Sequence, residues 1–539
     1  MAPRLDTIPL DILQHIAYLS ALGSSANPPI DLLHLLLTNS TIYRSLRLRS
    51  NPHLYANIFC SVFDFCRSMD HVTASNIAAE FVCRHRFLRR VRRLDFSIEE
   101  LTQDLWAAVR MILESNGANQ MHLITVNFSA FLIDLSQLIF ANYPGTEELD
   151  LKTVIVWLLC LSVSQSLYLG FPCGRGSLLT VNVEDISHTP IALRGKFVKW
   201  IHPFISPSHE VVDSAPNSAP LNIPAFRGDP SSNISDGPQE STIDSWQHEP
   251  MIPDPSFAAI NLTFAFKEAE LSSMLLHAVS ETRALAAVAH QAGPTMEDFR
   301  VFQSFRTPLC ADTLSQEAGL MRSLEHDPEF RCLMTRRPDA NHLHDIDSYA
   351  YVPGTLTGVW QGTYLTAIPV ITPSTPAHLT PRMDFDCRKP IQCSLSEYLC
   401  FGPNIPVPWE DDTAEWTPRR LLEQEDGSNI LSQRYNYERF EKYGGRRDSR
   451  EALDIFIVGE TLEDHDLAWG GFLFAGRVQR DGSIVMKREP KDPDQDYLGT
   501  WVFEGRLTFS KGFVGRWRSS SSRDISNAQG IFSMAKISK

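Results

Sequence analysis

In the N-terminal part of the chain, apolar and polar positions follow the period of an α-helix. Between Leu5 and about Pro203, apolar residues recur three and four positions apart, as in Ala78, Phe81 and Val82. This spacing places them on one face of a helix. A second group follows the same rule: Leu105, Ala108, Val109 and Ile112. The pattern predicts an all-α region.

After Tyr349 the pattern changes to short β-branched and aromatic runs separated by glycine and proline, which is typical of strands. The runs are Leu356–Tyr364, Ile455–Val458, Gly471–Val478, Ser483–Lys487, Thr500–Phe509 and Phe513–Trp517. Asp481-Gly482 suits a hairpin turn between two runs, since glycine tolerates positive φ. Consecutive hairpins imply an antiparallel meander that can close into a barrel. The expected fold class is multidomain α+β, with N-terminal helices and a C-terminal antiparallel β barrel-like domain.

A segment of low complexity interrupts the helical part. From about Ser206 to Asp254 the chain is rich in Ser, Pro, Asn, Asp and Gly, and we expect a disordered insertion. Helical periodicity resumes at Phe257–Ala292, which predicts one long helix that Gly293-Pro294 ends. The predicted divisions are an N-terminal motif at 5–60, helices at 61–205, the insertion at 206–255, helices at 256–345, the β domain at 350–520 and a tail at 521–539.

Composition narrows the class of protein. The chain has 539 residues, of which 43% are hydrophobic and 21% charged, so we expect several folded domains. Its net charge of −15 argues against a general nucleic-acid binder, because phosphates would be repelled. The 10 cysteines form no dense framework, and Met1–Leu13 does not resemble an export signal. These features predict a cytoplasmic or nuclear protein.

The longest apolar run is Thr153–Phe171, which approaches the length needed to cross a bilayer. Its second half contains Ser164, Gln165 and Ser166, whose polar groups would need partners in hydrocarbon, and no basic cluster flanks the run. A buried core helix is the favoured interpretation, and no membrane partner is predicted.

A leucine-rich motif occupies the first sixty positions. Ile8-Pro9-Leu10-Asp11-Ile12-Leu13-Gln14-His15-Ile16 suits a helix with proline in its first turn. Asp31-Leu32-Leu33-His34-Leu35-Leu36-Leu37 opens a second helix with an acidic residue near its start. Ile42–Leu46 follows, and then Asn51-Pro52-His53-Leu54-Tyr55. These short helices carry more leucine than so few residues can bury.

This pattern resembles the F-box, whose members begin Leu-Pro-x-Glu-Ile-Leu, continue Asp-Leu-Leu-x-Leu and end Asp-Pro-x-Leu-Trp. The resemblance implies a non-catalytic adaptor that binds Skp1, and through it a cullin, and so delivers a target protein to a ubiquitin ligase. It assigns Skp1 contact to Ile8, Pro9, Ile12, Leu13, Ile16, Leu32, Leu33 and Leu36. The alternative is a helical cap that buries its leucines against the chain's own helices.

The start of the β domain, Gly358–Tyr364, is similar to the Gly-x-Trp strand of calycin-like barrels. It also resembles the C-terminal barrel of the F-box-only family that binds cyclin D and carboxy-terminal degrons. If this domain recognises the substrate, aromatic and arginine residues at its rim are the first candidates for contact. They are Trp360, Tyr364, Trp469, Trp501 and Arg516. Two alternatives remain: tryptophan beside glycine that merely plugs a barrel end, and a calycin-like barrel that binds a small apolar ligand.

Metal and enzyme sites have weak sequence support. His342, His344 and Asp345 lack the further ligands that a metal site requires, and Cys387, Cys393 and Cys400 have irregular gaps. No hydrolase, P-loop or dinucleotide-binding motif is present in the sequence. We therefore predict no metal, no cofactor and no catalytic residue.

Overall fold

A computed structural model of the chain describes residues 8–22, 29–65, 73–143, 148–162, 204–205, 255–269, 279–307, 351–370, 382–401, 418–422, 431, 435–440, 452–479, 482–508, 512–520 and 528–537. The chain divides into two compact units. Unit 1 comprises Met1–Arg86 with His202–Glu249, and unit 2 comprises Phe87–Ile201 with Pro250–Lys539.

Unit 1 contains short helices. They are α1 (Leu10–Leu22), α2 (Ile30–Thr38), α3 (Ser40–Leu46), α4 (Pro52–Val62) and the first part of α5 (Ala74–Arg93). Helix α1 contacts α2, α3 and α4. The buried apolar side chains of these elements include Leu13, Ala17, Leu32, Ile42, Leu46, Leu54, Ile58 and Phe59. The three short helices that the sequence predicts are present.

Prolines mark the starts of two helices in unit 1. Pro9 directly precedes α1, and its carbonyl oxygen accepts a hydrogen bond from the Leu13 amide at 3.0 Å. Pro52 is the first residue of α4, and the Asn51 Oδ1 atom accepts a hydrogen bond from the Leu54 amide at 3.3 Å. Asparagine followed by proline is a strong helix start. Asn51-Pro52 therefore begins a fourth helix.

The helical part of unit 2 is built around one buried helix. The helices here are α6 (Leu101–Leu113), α7 (Ala118–Thr125), α8 (Phe128–Asn142), α9 (Leu149–Ser162), α10 (Ser256–Ala269), α11 (Arg283–Val288) and α12 (Met296–Ser304). Helix α9 packs against α6, α8 and α10. Every residue from Leu151 to Leu161 is buried. The predicted core helix is therefore confirmed up to Ser162, and residues 163–171 lie outside the described part.

No described helix is by itself both long and apolar enough to span a bilayer. In the described part of the chain, only the pair α7 and α8 reaches that length and composition, and the two helices meet at an angle of 61°.

The C-terminal part of unit 2 is a closed antiparallel barrel. Its strands are β1 (Gly358–Val370), β2 (Arg382–Cys400), β3 (Tyr437–Arg439), β4 (Asp454–Glu460), β5 (Phe472–Val478), β6 (Ser483–Pro490), β7 (Trp501–Thr508), β8 (Gly512–Ser519) and β9 (Gln529–Lys536). They pair in the order β1-β9-β8-β7-β6-β5-β4-β2, and β1 also pairs with β2. This second pairing closes an eight-stranded ring. Strand β3 pairs with Tyr398–Cys400, at the end of β2.

Large side chains fill the barrel interior. The described core includes Trp360, Leu395, Phe474, Met486, Phe503, Phe513 and Phe532. A barrel of eight strands is just wide enough for side chains to fill it. Glycine is required where strands come closest: a Cβ on Gly530 would lie 1.8 Å from the Leu365 carbonyl oxygen. On the outside, α10 packs against β7, β8 and β9.

The described part of unit 2 also contains small helices. They are α13 (Pro418–Leu422), α14 (Glu463–Trp469) between β4 and β5, and a 3₁₀ helix at Pro493–Leu498 between β6 and β7. The Trp469 ring lies 5.0 Å from the Phe299 ring and 5.9 Å from the Phe302 ring of α12. The Arg388 side chain of β2 donates to the Phe305 carbonyl at 2.9 Å. Helix α12 is thereby held against α14 and β2.

The multidomain α+β fold is confirmed, including the antiparallel barrel. Each of the six predicted runs coincides with a strand, namely β1 and β4 to β8. Strands β2, β3 and β9 are not predicted by the sequence pattern. The assignment of 521–539 to a tail is wrong, because β9 pairs with both β1 and β8 and completes the barrel.

The prediction of one helix over Phe257–Ala292 is also wrong. Helix α10 ends at Ala269, residues 279–282 are not helical, and α11 is a separate helix that ends at Val288. The Thr282 hydroxyl caps α11 by accepting a hydrogen bond from the Leu285 amide. A local cap starts a new helix here, which an apolar period alone does not reveal. The predicted insertion at 206–254, and residues 308–350 with His342 and His344, lie outside the described residues.

His465 of α14 makes stability depend on pH. Its side chain is 8% exposed, and burial lowers its pKa from 6.5 to about 4, while nearby Asp298 opposes that shift and Arg283 adds to it. Between these values the unfolded chain binds a proton that the folded chain does not. The stability contributed by neutral His465 is therefore complete above pH 6.5 and is lost as the pH falls towards 4.

We expect His465→Gln to flatten this dependence, which amounts to about 3 kcal/mol at most. Urea unfolding of both proteins at several pH values between 4.5 and 7.5 measures it. The same slope in both proteins would remove His465 as the cause.

Candidate functional site

Helix α1 carries an exposed apolar stripe. Ile12 is 49% exposed and Leu19 is 54% exposed, and the half-buried Ile16 lies between them. These positions are separated by four and three residues, so they share one face of the helix. Leu13 and Ala17 occupy the opposite, buried face. Helix α1 is thus apolar on two sides, and the described residues of unit 1 cover the side with Leu13 and Ala17.

Helix α2 carries a second exposed stripe. Ile30, Leu33 and Leu37 are 51%, 52% and 72% exposed, and their spacings of three and four residues place them on one face. Leu32 is the only fully buried residue of this helix. We call Ile12, Ile16 and Leu19 together with Ile30, Leu33 and Leu37 the apolar stripes of unit 1. Leucine and isoleucine exposed this regularly on adjoining helices are typical of a protein interaction surface.

The eight residues assigned to Skp1 contact do not share one environment. Pro9, Ile12 and Leu33 are exposed, and Ile8, Ile16 and Leu36 are partly exposed. Leu13 and Leu32 are 4% and 2% exposed, so their assignment is corrected: they stabilise unit 1 from inside and offer no surface to a partner. Sequence reasoning missed Leu19, Ile30 and Leu37, although a helical wheel through Ile12 and Leu33 includes them.

In the barrel, two of the five predicted contact residues meet. The Tyr364 ring lies 5.3 Å from the Trp501 ring, and both adjoin Trp517. Trp501 and Trp517 stack at 4.2 Å with an angle of 12° between their planes. The Trp517 indole nitrogen donates to the Leu365 carbonyl oxygen at 2.9 Å. Trp501 is partly exposed, so this aromatic cluster reaches the surface at one end of the barrel.

Trp360 lies inside the barrel and is completely buried. Its indole nitrogen donates to the Leu356 carbonyl at 2.7 Å, which fixes the segment before β1. This residue has no exposed surface for a partner, so its assignment to the rim is corrected. Its burial fits the alternative interpretation, in which tryptophan plugs a barrel end.

Beside Trp360, a buried carboxylate holds the entry segment of the barrel. Glu397 of β2 is 1% exposed and accepts hydrogen bonds from the Tyr351 hydroxyl and from the amides of Gly354, Leu356 and Thr357, at 2.6 to 3.0 Å. Burial raises the pKa of Tyr351, which therefore stays a neutral donor. This arrangement is structural, because it ties residues 351–357 to β2.

The remaining two predicted residues lie elsewhere. Trp469 is partly exposed on α14 and packs against α12. Arg516 alternates with the inward-facing Gly515 and Trp517, which places it on the outer face of β8, half-buried. The five candidates therefore do not form one surface, and only Tyr364 and Trp501 belong to a common cluster.

Among the described residues, no group of three or more His, Cys, Asp or Glu side chains is arranged to hold a metal ion. Cys393 and Cys400 are buried, and burial raises the pKa of the Cys393 thiol. Their side chains pack in the barrel and its outer layer. The side chain of Cys387 lies outside the described part.

No protein-family model, curated protein or solved structure matches the chain.

Proposed function

We propose that the chain is a non-catalytic substrate adaptor that binds Skp1, and through it a cullin, by the apolar stripes of unit 1. The observation that supports this proposal is that one segment has both an F-box-like sequence and an exposed apolar surface. The segment that resembles the F-box is also the segment whose helices α1 and α2 expose apolar residues at regular helical spacing. A helical cap that buried its leucines within the chain would leave Ile12, Leu33 and Leu37 covered instead.

The stripes have the properties of a docking surface for a folded partner. Burying a leucine or isoleucine side chain removes apolar area that contributes about 1.5 to 3 kcal/mol when fully covered. The five exposed residues of the stripes, at 49% to 72% exposure, supply apolar contact area, and the charged Asp11 and Asp31 are exposed on the same two helices. An apolar centre with a polar rim is the usual composition of a stable interface.

In this proposal the barrel binds the target protein. The partly exposed Trp501 and Trp469 are the aromatic contact candidates that remain after Trp360 is excluded by its burial. The adaptor performs no chemistry: it raises the effective concentration of a target lysine near the ubiquitin thioester that the ligase carries. Unit 1 and the barrel then have separate tasks and can be altered separately.

The test is capture of the full-length chain by purified Skp1, together with loss of capture when charge is placed in both stripes. The use of the full chain matters, because a truncated chain that began at Phe63 would remove Phe59 from its contact with Phe63 and would damage unit 1.

A further inference from the structure

Arg488 occupies an unusual position for an arginine. It follows Ile484 and Met486 at alternate positions of β6, so it faces the barrel interior, and it is only 4% exposed. Its neighbour in the strand pairing is Trp501, which places it at the end of the barrel where the aromatic cluster reaches the surface.

Aromatic rings surround the Arg488 guanidinium. Its Cζ atom lies 3.6 Å from the centre of the Trp501 ring and 4.0 Å from that of Phe472, and Tyr364 and Phe503 follow at 6.0 and 5.8 Å. Distances of this size are cation–π contacts, which stabilise the positive charge without supplying a carboxylate or carbonyl acceptor for the five N–H donors of the guanidinium.

Within the part of the chain that the structure describes, no carboxylate neutralises this charge. Of the three buried arginines there, Arg84 pairs with Glu80, Arg90 pairs with Asp104, and Arg488 has no Asp or Glu within ion-pair distance. Among the described residues, the buried Arg488 Nε atom has no hydrogen-bond partner. Against the lowering effect of burial, the Tyr364 side chain raises the pKa of Arg488.

Arg488 nevertheless remains charged at neutral pH. Burial lowers its pKa to about 10, which is still well above neutrality. A buried charge is stable only when it is paired or well hydrogen-bonded, and the aromatic rings supply part of that stabilisation. The opposite end of the barrel differs, because there Glu397 has protein donors for both carboxylate oxygens. Unlike Glu397, Arg488 therefore needs an oppositely charged or acceptor partner.

We infer that this end of the barrel binds a carboxylate attached to an apolar group, with Arg488 as the anion-binding residue. A carboxylate is planar and accepts two parallel hydrogen bonds from the edge of a guanidinium. Its single negative charge balances the single buried positive charge, whereas a phosphate dianion would leave a net charge in an apolar site. The rings of Trp501 and Phe472 are partly exposed and offer a surface to the apolar group.

This site does not depend on the stripes of unit 1, but it includes Trp501, which the proposed adaptor function also assigns to contact with the target protein. The same chemistry has two sources, a small apolar acid and the carboxyl end of a peptide chain, and we commit to the small acid. The probes are 3-phenylpropionate, its neutral amide, and a tripeptide that ends in phenylalanine with either a free or an amidated carboxyl group.

Titration calorimetry of the full-length chain measures the binding of each probe. We expect 3-phenylpropionate to bind saturably and its amide to bind at least about tenfold more weakly. Arg488→Met keeps an apolar stem of similar length and removes the charge, so it should abolish the preference for the acid. Arg516→Met, on the outer face of β8, is the matched control and should retain that preference.

Two further measurements decide the question if the methionine variant does not fold. One is acid binding by Arg488→Lys, and the other is quenching of Trp501 fluorescence by the ligand. Lysine retains the positive charge but cannot form the bidentate hydrogen bonds of a guanidinium, so Arg488→Lys should bind the acid more weakly. A Trp501→Phe variant should lose the quenching signal. Binding of the free-ended tripeptide alone would keep the carboxylate site and overturn the small acid as its source. Equal binding of acid and amide, or an unchanged preference in Arg488→Met, would overturn the site itself.

Discussion

A full-length chain in which Ile12 and Leu33 are both replaced by aspartate should lose capture by Skp1 entirely. Both side chains are about half exposed and lie in different apolar stripes, at 49% and 52% exposure. Aspartate at either position would be buried unpaired in the interface, which costs several kcal/mol for a carboxylate. Two such penalties together should weaken binding by about 1,000-fold or more. Titration of Skp1 into each protein measures the loss.

A matched control separates this effect from general damage. Leu285→Asp with Val288→Asp places two charges on α11, where the side chains are 56% and 82% exposed. Surface changes of this kind alter stability by only about 0.5 kcal/mol, so the control should bind Skp1 like the original chain. Retained capture by the Ile12 and Leu33 variant, with normal helicity, would remove the stripes from the interface.

Glu397→Ala is expected to have the largest effect on the stability of the barrel, about 3 to 5 kcal/mol. The substitution removes the acceptor for three backbone amides and for the Tyr351 hydroxyl, all at a buried site. It also removes the negative charge near Lys536 of β9. Hydrogen exchange of the β1 and β2 amides at increasing urea concentrations measures the loss of barrel stability separately from the stability of unit 1.

Glu460→Ala provides the comparison for that experiment. Glu460 is on β4, its side chain is 60% exposed, and it pairs with Lys491 at the surface. An exposed pair of this type contributes about 1 kcal/mol or less. If both alanine variants exchange alike, the buried carboxylate does not hold the entry segment.

The predictable parts of the barrel are those whose alternation is uninterrupted. Strands β4, β5 and β7 have apolar residues at every inward position except glycine, so the pattern identifies them. Strand β2 is not predicted from the sequence, because Pro390 lies in its middle and the charged Glu397 faces inward. Both features normally argue against a central strand. Strand β9 follows a serine-rich stretch and has glycine at one inward position and lysine at another.

Candidate site residues were harder to predict, because neither charge nor aromatic character showed whether a residue is buried. Charged residues expected at the surface are buried, and so is an aromatic residue expected to contact a partner. The sequence pattern ends the strand around Arg488 at Lys487, since Lys-Arg-Glu-Pro is typical of a solvated turn, yet β6 continues to Pro490 with Lys487 and Arg488 both buried. Trp360 belongs to a residue type that is common in binding surfaces, yet it lies in the core of the barrel. Only the pairing of strands decides which residues face inward.

The N-terminal helices show the same limit. Leu32, Leu33 and Leu35 to Leu37 make α2 apolar on nearly every side, so their period does not say which face packs inside unit 1. The structure assigns Leu32 to the core and leaves Leu33 and Leu37 exposed. The motif predicts that helices are present and apolar, but tertiary packing determines which side is available to a partner.

Hydrogen exchange of the full-length chain, with and without saturating Skp1, tests the central claim most directly because it locates the interface. We expect Skp1 to slow the exchange of the amides in Leu10–Leu22 and Ile30–Thr38 and to leave exchange in the strands of the barrel unchanged. Protection confined to the barrel, or no protection anywhere in a folded chain, would contradict the assignment of the apolar stripes to Skp1.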